Sequence, residues 1–240
     1  MKNSAPRLFP DRLRIGLAPS FVCVERERGF LRKAIVDRQT SACDPGFGAQ
    51  LWDGALAALK SCDTTLRATV VLSNHFVRYA IVPWTTGLDT AVEEEAYVRH
   101  HFARIHGERA KSWALRWSGN GETRLSSAID HALLEALKPA LPRLVSVQPY
   151  LMAAINGCRD FIPKTGAWLA LVEDERACIA LHAGGRWRAV QNARGAWLDL
   201  LERERHRAES DVPQLALIAG ADPGAAEGWT FQRLQGGLSH

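Results

Sequence analysis

Residues that could bind a metal ion are concentrated between positions 93 and 106. Three consecutive glutamates at 93–95 precede His100, His101 and His106. Adjacent residues on a helix diverge by about 100°, and no two of these histidines are spaced four residues apart, as two ligands on one helical face would be. The glutamates suit the positively polarised start of a helix. We therefore interpret these residues as solvated helix side chains and expect no metal site.

Two further patterns suggest nucleophilic or phosphate chemistry. Ser73 and His75 alternate at the end of a predicted strand and so share a face, but no third group completes a catalytic set, and the pair stays a remote alternative. Gly46 and Gly48 suggest a phosphate-binding loop, yet they follow Asp-Pro instead of a strand and lack a third glycine at the right spacing. We interpret this segment as the turn that begins a helix.

The composition of the 240 residues is that of a soluble globular protein, with 47% hydrophobic residues and a net charge of +4. Basic and acidic residues are interleaved along the chain, which argues against nucleic acid as a partner. No apolar run approaches the roughly 18 residues of a membrane-spanning helix. The five cysteines are scattered and form no CxxC pair, as expected for reduced thiols in the cytoplasm.

Hydrophobic periodicity predicts a unit of three strands, a helix and a buried strand, and this unit occurs twice. In the first copy, the predicted strands are 13–18, 21–27, 31–38 and 66–72, and the helix is 47–61. In the second copy, the strands are 168–172, 176–182, 186–191 and 214–219, and the helix is 196–208. Between the copies, we predict strands 77–82, 113–117, 124–129 and 144–147 and helices 90–105, 131–141 and 149–158. Residues 119–121 (Gly-Asn-Gly) indicate a hairpin turn, and Thr90 and Glu93 have capping-box spacing.

Two such units with a small insertion in the first resemble the actin-like ATPase superfamily, and more narrowly PilM of type IV pilus assembly and the cytoplasmic part of GspL from type II secretion. The string VVLSNHFVRYAIVPW at 70–84 is similar to the segment where the first core strand crosses into the inserted subdomain. The string VQPYLM at 147–152 is similar to the return from it. The resemblance implies an α/β fold of two RNase H-like (actin-like) halves: 12–162, with a small α/β subdomain inserted at about 76–129, and a shortened 163–240.

In a working member of that superfamily, two turns between antiparallel strands hold the phosphates through an Asp and through glycine backbone amides. In this chain, the resemblance aligns the first turn with Ala18 in the Asp position and Ser20 in the glycine position. Pro19 lies between them and has no N–H to donate. The first turn therefore lacks both the carboxylate and the amides that phosphate binding requires.

The second turn departs further from the pattern. Glu173 stands for the Asp, but Asp174 and Glu175 replace an apolar residue and a glycine, and the adenosine-side glycine pair is reduced to Gly220. Each carboxylate about 4 Å from a phosphate would cost roughly 1 to 4 kcal/mol. Several such contacts would cancel much of the roughly 8 kcal/mol of a micromolar complex. We therefore predict a degenerate nucleotide site with no cofactor and no hydrolase activity.

The resemblance implies a non-catalytic cytoplasmic scaffold, peripheral to the inner membrane, that binds a membrane-anchored pilus or secretion assembly protein; it leaves a homodimer open. In PilM-like proteins, a short segment of the partner is held near the inserted subdomain. By analogy, the candidate partner surface consists of the aromatic residues Phe76, Tyr79, Trp84, Trp113 and Trp117. Core packing is the competing interpretation for each of them.

Two alternatives belong to other functional classes. The first is an ATP-binding actin-like enzyme that uses Glu173 in place of the missing Asp. The second is a protein unrelated to secretion that reuses the fold, because one fold supports many functions.

Overall fold

The computed structural model describes residues 11–29, 34–118, 122–208, 212–234 and 238. Contacts divide the chain into two compact units. Of the described residues, the first unit contains 11–29, 34–73 and 133–148. The second contains 74–118, 122–132, 149–208, 212–234 and 238.

Strands and helices alternate along the chain. The strands are β1 (Arg12–Leu17), β2 (Phe21–Arg28), β3 (Ala34–Ala42), β4 (Arg67–Leu72), β5 (Val77–Pro83), β6 (Trp113–Ser118), β7 (Thr123–Asp130), β8 (Leu144–Pro149), β9 (Ala167–Glu173), β10 (Arg176–Ala183), β11 (Arg186–Arg194), β12 (Leu215–Ala219) and β13 (Thr230–Arg233). The helices are α1 (Asp53–Leu59), α2 (Ala91–His106), α3 (His131–Ala140), α4 (Tyr150–Cys158) and α5 (Trp197–Arg207).

The first unit is built on a five-stranded sheet with the order β3-β2-β1-β4-β8. β2 pairs antiparallel with β1 and β3, and β4 pairs parallel with β1. Apolar side chains of the adjacent strands β1 and β4, including Ile15, Leu17, Val70 and Leu72, are fully buried. A strand buried on both faces appears in sequence as a near-continuous apolar run, and this pattern led to the correct prediction of β4.

The helix predicted at 47–61 is shorter than expected, because α1 begins only at Asp53. Gly48 has a φ of +78°, which is not helical. The backbone N–H of Gly46 donates to Asp44 Oδ1 at 2.8 Å, and that of Gln50 donates to Asp53 Oδ2 at 2.9 Å. The two aspartates thus hold this segment in turns. The interpretation of Gly46 and Gly48 as a turn before a helix is confirmed.

The second unit contains a sheet with the order β11-β10-β9-β12-β13, which repeats the arrangement of the first. β10 pairs antiparallel with β9 and β11, and β12 pairs parallel with β9 and β13. α5 packs on it, with Leu201 and Trp168 in one buried cluster. The sequence interpretation missed β13, because its four residues are largely exposed and carry no apolar alternation.

A three-stranded antiparallel sheet, ordered β5-β7-β6, also belongs to the second unit. α2 buries Val98 and Phe102 in its core. The predicted capping box at the start of α2 is confirmed, because Thr90 Oγ1 accepts from Glu93 N and the Glu93 carboxylate accepts from Thr90 N. The predicted hairpin turn at 119–121 lies outside the described residues.

By contacts, this small sheet and α4 group with the second five-stranded sheet, and β11 lies beside β5 and β7. The predicted boundaries at 12–162 and 163–240 follow the order of elements in the chain instead, and they stay a prediction. No helix within the described ranges is long and apolar enough to cross a membrane.

Gly220, which follows β12, is required by close packing between backbones. Its φ is +85°, and a Cβ at this position would collide with the carbonyl oxygen of Val172 on β9. Gly224 has a similar φ of +59°, but a Cβ there would meet nothing within 4 Å. Substitutions at these two glycines can therefore be compared to separate the energetic cost of the backbone conformation from the cost of steric overlap.

We predict that Gly224→Ala lowers the free energy of unfolding by roughly 1–2 kcal/mol, the cost of placing an L-residue at positive φ. Gly220→Ala should cost about 1–3 kcal/mol more, because β9 and β12 must also move apart. Urea denaturation of both variants measures the difference. Equal losses would show that Val172 and Gly220 are not in close contact.

Candidate functional site

The turn between β1 and β2, in the first unit, has its polar groups committed internally. The N–H of Ala18 donates to Phe21 O at 3.0 Å, and Ser20 O accepts from Cys43 N at 2.8 Å. Pro19 has no N–H, and the side chain of Ala18 is buried. The hairpin itself therefore uses the amide hydrogen of Ala18.

In the second unit, the turn between β9 and β10 consists of Asp174 and Glu175, and it connects the paired residues Glu173 and Arg176. Glu175 adopts a φ of +57°, and it is the only non-glycine residue with positive φ among those described. An L-residue in this conformation costs roughly 1–2 kcal/mol, which a glycine here would avoid. The turn thus keeps the backbone shape suited to glycine while presenting a carboxylate.

Glu173 forms a hydrogen bond with the segment that connects β4 to β5. Its Oε2 accepts a hydrogen bond from the backbone N–H of Asn74 at 2.9 Å. Next to it, His75 Nε2 donates to the carbonyl oxygen of Asp174 at 3.0 Å. Burial lowers the pKa of His75, and the charges of Arg176 and Arg194 lower it further. The second turn is therefore tied to the start of the small sheet by two hydrogen bonds.

Asn74 is fully buried and lies at the centre of this polar network. Its Oδ1 accepts from the hydroxyl of Tyr79 at 2.9 Å, and its carbonyl oxygen accepts from Asn192 Nδ2 at 2.7 Å. The same Asn192 amide donates to Val77 O at 3.0 Å, and the Tyr79 hydroxyl accepts from Leu151 N at 3.4 Å. Asn74 Nδ2 is buried and has no hydrogen-bond partner among the described atoms. The network joins β5, α4, β9 and β11.

Near the second turn, Arg176 interacts electrostatically with Glu173 and with two other arginines, a feature that the sequence interpretation missed. Burial lowers the pKa of Arg176, and the charges of Arg78 and Arg194 lower it further, while Glu173 opposes this shift. The guanidinium groups are engaged: Arg176 Nη1 donates to Asn192 Oδ1 at 3.1 Å, and Arg78 Nη1 donates to Val77 O at 3.1 Å. The charge near the second turn is therefore mixed, and repulsion by carboxylates alone does not describe it.

Two of the five residues proposed as a partner surface belong to the interior of the second unit. Phe76 is buried. Tyr79 is partly buried, its hydroxyl is part of the Asn74 network, and burial raises its pKa well above the ordinary value. For these two residues, the competing interpretation of packing within the protein describes the structure better than a free surface.

The three tryptophans pack against the core of the small sheet and are only partly buried. Trp84 and Trp117 stack with ring centroids 6.5 Å apart, and the Arg124 guanidinium lies 3.5 Å from the Trp84 ring centroid. Trp113 instead contacts Phe102 edge to face at 6.2 Å. The structure therefore separates Trp113 from the pair Trp84 and Trp117, which we call the tryptophan pair.

No group of three or more His, Cys, Asp or Glu side chains among the described residues is arranged to hold a metal ion. His101 and His106, considered above as ligands, contact aromatic rings instead. The His101 ring lies 5.2 Å from Tyr97, and the His106 ring lies 5.0 Å from Trp113. Burial lowers the pKa of both histidines.

No protein-family model matches this sequence, and no curated protein matches it either. Solved structures do match. The cytoplasmic domain of EpsL, an inner membrane component of the type II secretion system of Vibrio cholerae, gives a TM-score of 0.64 at 15% identity, over 95% of this chain and 90% of that one.

Two other structures support the same fold. A Bacteroides thetaiotaomicron protein with actin-like ATPase fold and unknown function gives a TM-score of 0.63 at 12% identity, over 89% of this chain and 83% of that one. A chain of the PilM–PilN type IV pilus biogenesis complex gives 0.58 at 18% identity, over 84% of this chain and 66% of that one. The chain therefore has the actin-like ATPase fold, which confirms the α/β fold class expected from its sequence.

We predict that Tyr79→Phe lowers the free energy of unfolding by about 1–3 kcal/mol, because it leaves the buried Asn74 Oδ1 without its donor. Tyr97→Phe is the matched control. Its hydroxyl donates to Pro83 O at 3.0 Å in an exposed position, so the loss should be within about 0.5 kcal/mol. Thermal and urea unfolding of both variants measure the difference. Equal small losses would contradict a central role for Asn74.

Proposed function

We propose that this protein is a non-catalytic cytoplasmic scaffold of an inner-membrane assembly platform, of the type IV pilus or type II secretion kind. In this role it binds a membrane-anchored partner and is peripheral to the membrane. The likeness to a type II secretion component and to a chain of a pilus biogenesis complex supports this proposal.

The observation that carries the non-catalytic part is the hydrogen bond from Asn74 N to Glu173 Oε2. Glu173 is the carboxylate that an ATP-binding alternative requires for metal and water. Here that carboxylate satisfies a buried backbone amide, and buried amides are costly to leave unpaired. Moving Oε2 onto a ligand would expose the chain to that cost. In the first turn, Ala18 offers no carboxylate, and its N–H is already donated.

We expect no heat of binding when ATP and Mg²⁺ are titrated into the protein at concentrations up to about 1 mM, the range where binding falls below about 4 kcal/mol. Glu173→Ala should leave this result unchanged while lowering the free energy of unfolding by about 1.5–3 kcal/mol, because it removes a charge-assisted hydrogen bond.

Glu175→Ala is the matched control for this test, because it removes a carboxylate from the same turn without removing a bond to Asn74. Its stability should remain within about 0.5 kcal/mol of the wild type. Micromolar ATP binding that Glu173→Ala abolishes would overturn the proposal and favour the enzyme alternative.

For partner binding, we select the tryptophan pair from the predicted surface, because its two rings are partly buried and lie against each other on the small sheet. Trp84 and Trp117 stack on the small sheet, and Arg124 lies over Trp84 while its Nη1 pairs with Glu94 Oε1 at 3.1 Å. Partly buried aromatic side chains in a fixed geometry are the residues that most often dominate binding at protein interfaces. A short apolar segment of a membrane protein would find a preformed contact here.

We predict that Trp84→Ala weakens capture of the cytoplasmic segment of an inner-membrane protein encoded by a neighbouring gene by at least about tenfold. Trp197→Ala makes the same chemical change on α5, where Trp197 packs against Phe231, and should leave capture unchanged. Circular dichroism checks that both variants fold. Equal capture by both variants, or neighbouring genes that encode no inner-membrane assembly component, would contradict the scaffold role.

A further inference from the structure

A groove of about 710 Å³ lies on the second unit, and its lining includes Ser118, which follows Trp117 on β6, and Thr123, which pairs with Pro83 on β5. One wall is α4, which contributes Met152 and Ile155. The turn between β10 and β11 contributes Gly185, the start of β11 contributes Trp187, and Ile162 also lines the groove. The apolar side chains among the lining residues give the groove a hydrophobic floor.

The rim of this groove is basic. Arg159, Lys164 and Arg186 line it, and no carboxylate is among the described lining residues. Arg186 pairs with Glu122 at 2.8 Å, but the Glu122 side chain is 83% exposed, so water weakens this pair. Within the described part of the chain, neither Arg159 nor Lys164 forms a salt bridge. Both cations are therefore available to an incoming ligand.

The same charge continues around the β10–β11 turn. A second groove, of about 520 Å³, shares Arg186 and Trp187 with the first and adds Arg188 and Arg207. Its one carboxylate, Glu204, is buried and pairs with Arg207 at 2.9 Å. In the first groove, burial lowers the pKa of His182, and the charge of Arg159 lowers it further. Arginines therefore line both grooves.

We propose that the groove between α4 and the β10–β11 turn binds an acidic amphipathic segment of a partner protein. Apolar side chains of such a segment would enter the floor beside Ile155 and Trp187, and its carboxylates would meet Arg159 and Lys164 at the rim. An amphipathic helix laid in a hydrophobic groove is a common mode of recognition, and charge complementarity selects among partners. A flat membrane surface could reach the rim but not the floor.

This inference rests on the proposed scaffold function only in taking the occupant to be a protein. It assigns a second binding site to the same unit, with a chemistry different from that of the tryptophan pair. One site takes an apolar segment and the other an acidic one. A scaffold with two such sites could hold two different proteins together.

Fluorescence anisotropy with a labelled synthetic helix tests the proposal. The probe carries Leu along one face and Glu along the other. Arg159→Glu combined with Lys164→Glu should weaken its binding at least tenfold, because both rim cations are reversed. The matched control is Arg109→Glu with Lys111→Glu, which makes the same change at exposed positions of the same unit and should leave binding within twofold. A second probe, with Ser replacing every Leu, should bind at least tenfold more weakly.

The outcomes divide cleanly. Loss of binding in the Arg159 and Lys164 variant alone, with weak binding of the serine probe, supports the groove. Equal binding by all variants, equal binding of both probes, or retention on anionic phosphatidylglycerol vesicles in place of the peptide would overturn it. Failure to capture a membrane partner through Trp84 would remove the scaffold role and leave the groove result standing. Thermal unfolding of each variant verifies that it folds.

Discussion

A buried backbone must have its polar groups satisfied, and around Asn74 that requirement recruits side chains from distant parts of the chain. Glu173 lies 99 residues away and Asn192 lies 118 residues away, yet both bond to the main chain of this one residue. Asn74 lies in the turn between β4 and β5, where the chain enters the small sheet, and its main chain and side chain are bonded to polar partners. The positions of β5, α4 and the β9–β10 turn all depend on these hydrogen bonds.

The same constraint bears on chemistry. A phosphate-binding turn works because its backbone amides and carboxylates are exposed and available to a ligand. In this protein, several polar groups at the two turns are bonded within the protein. Ala18 N closes a hairpin, Glu173 accepts from Asn74, and the Arg176 guanidinium bonds to Asn192. Moving one of these bonded atoms onto a ligand would leave its present partner unsatisfied.

The sequence predicted most elements because each depends on local pattern. The apolar runs of β4 and β12 and the capping box at Thr90 and Glu93 are legible within a few residues. Residue types at the turns, such as Ala18 and Pro19, were equally legible. The α1 boundary was not, because the carboxylates of Asp44 and Asp53 compete with helical hydrogen bonds. The Asn74 network and the arginines near the second turn were beyond reach, because they depend on contacts between remote segments.

The hydrogen bonds from Asn192 to Asn74 and Val77 have a mechanical consequence. They connect β5 of the small sheet to β11, an edge strand of the second five-stranded sheet. The small sheet is therefore not joined to its neighbour by a flexible hinge alone. The two sheets should melt as one cooperative block, and hydrogen exchange in β5 and β11 should report the same opening event. If a protein bound at the tryptophan pair applied a force, these hydrogen bonds would transmit it to β11.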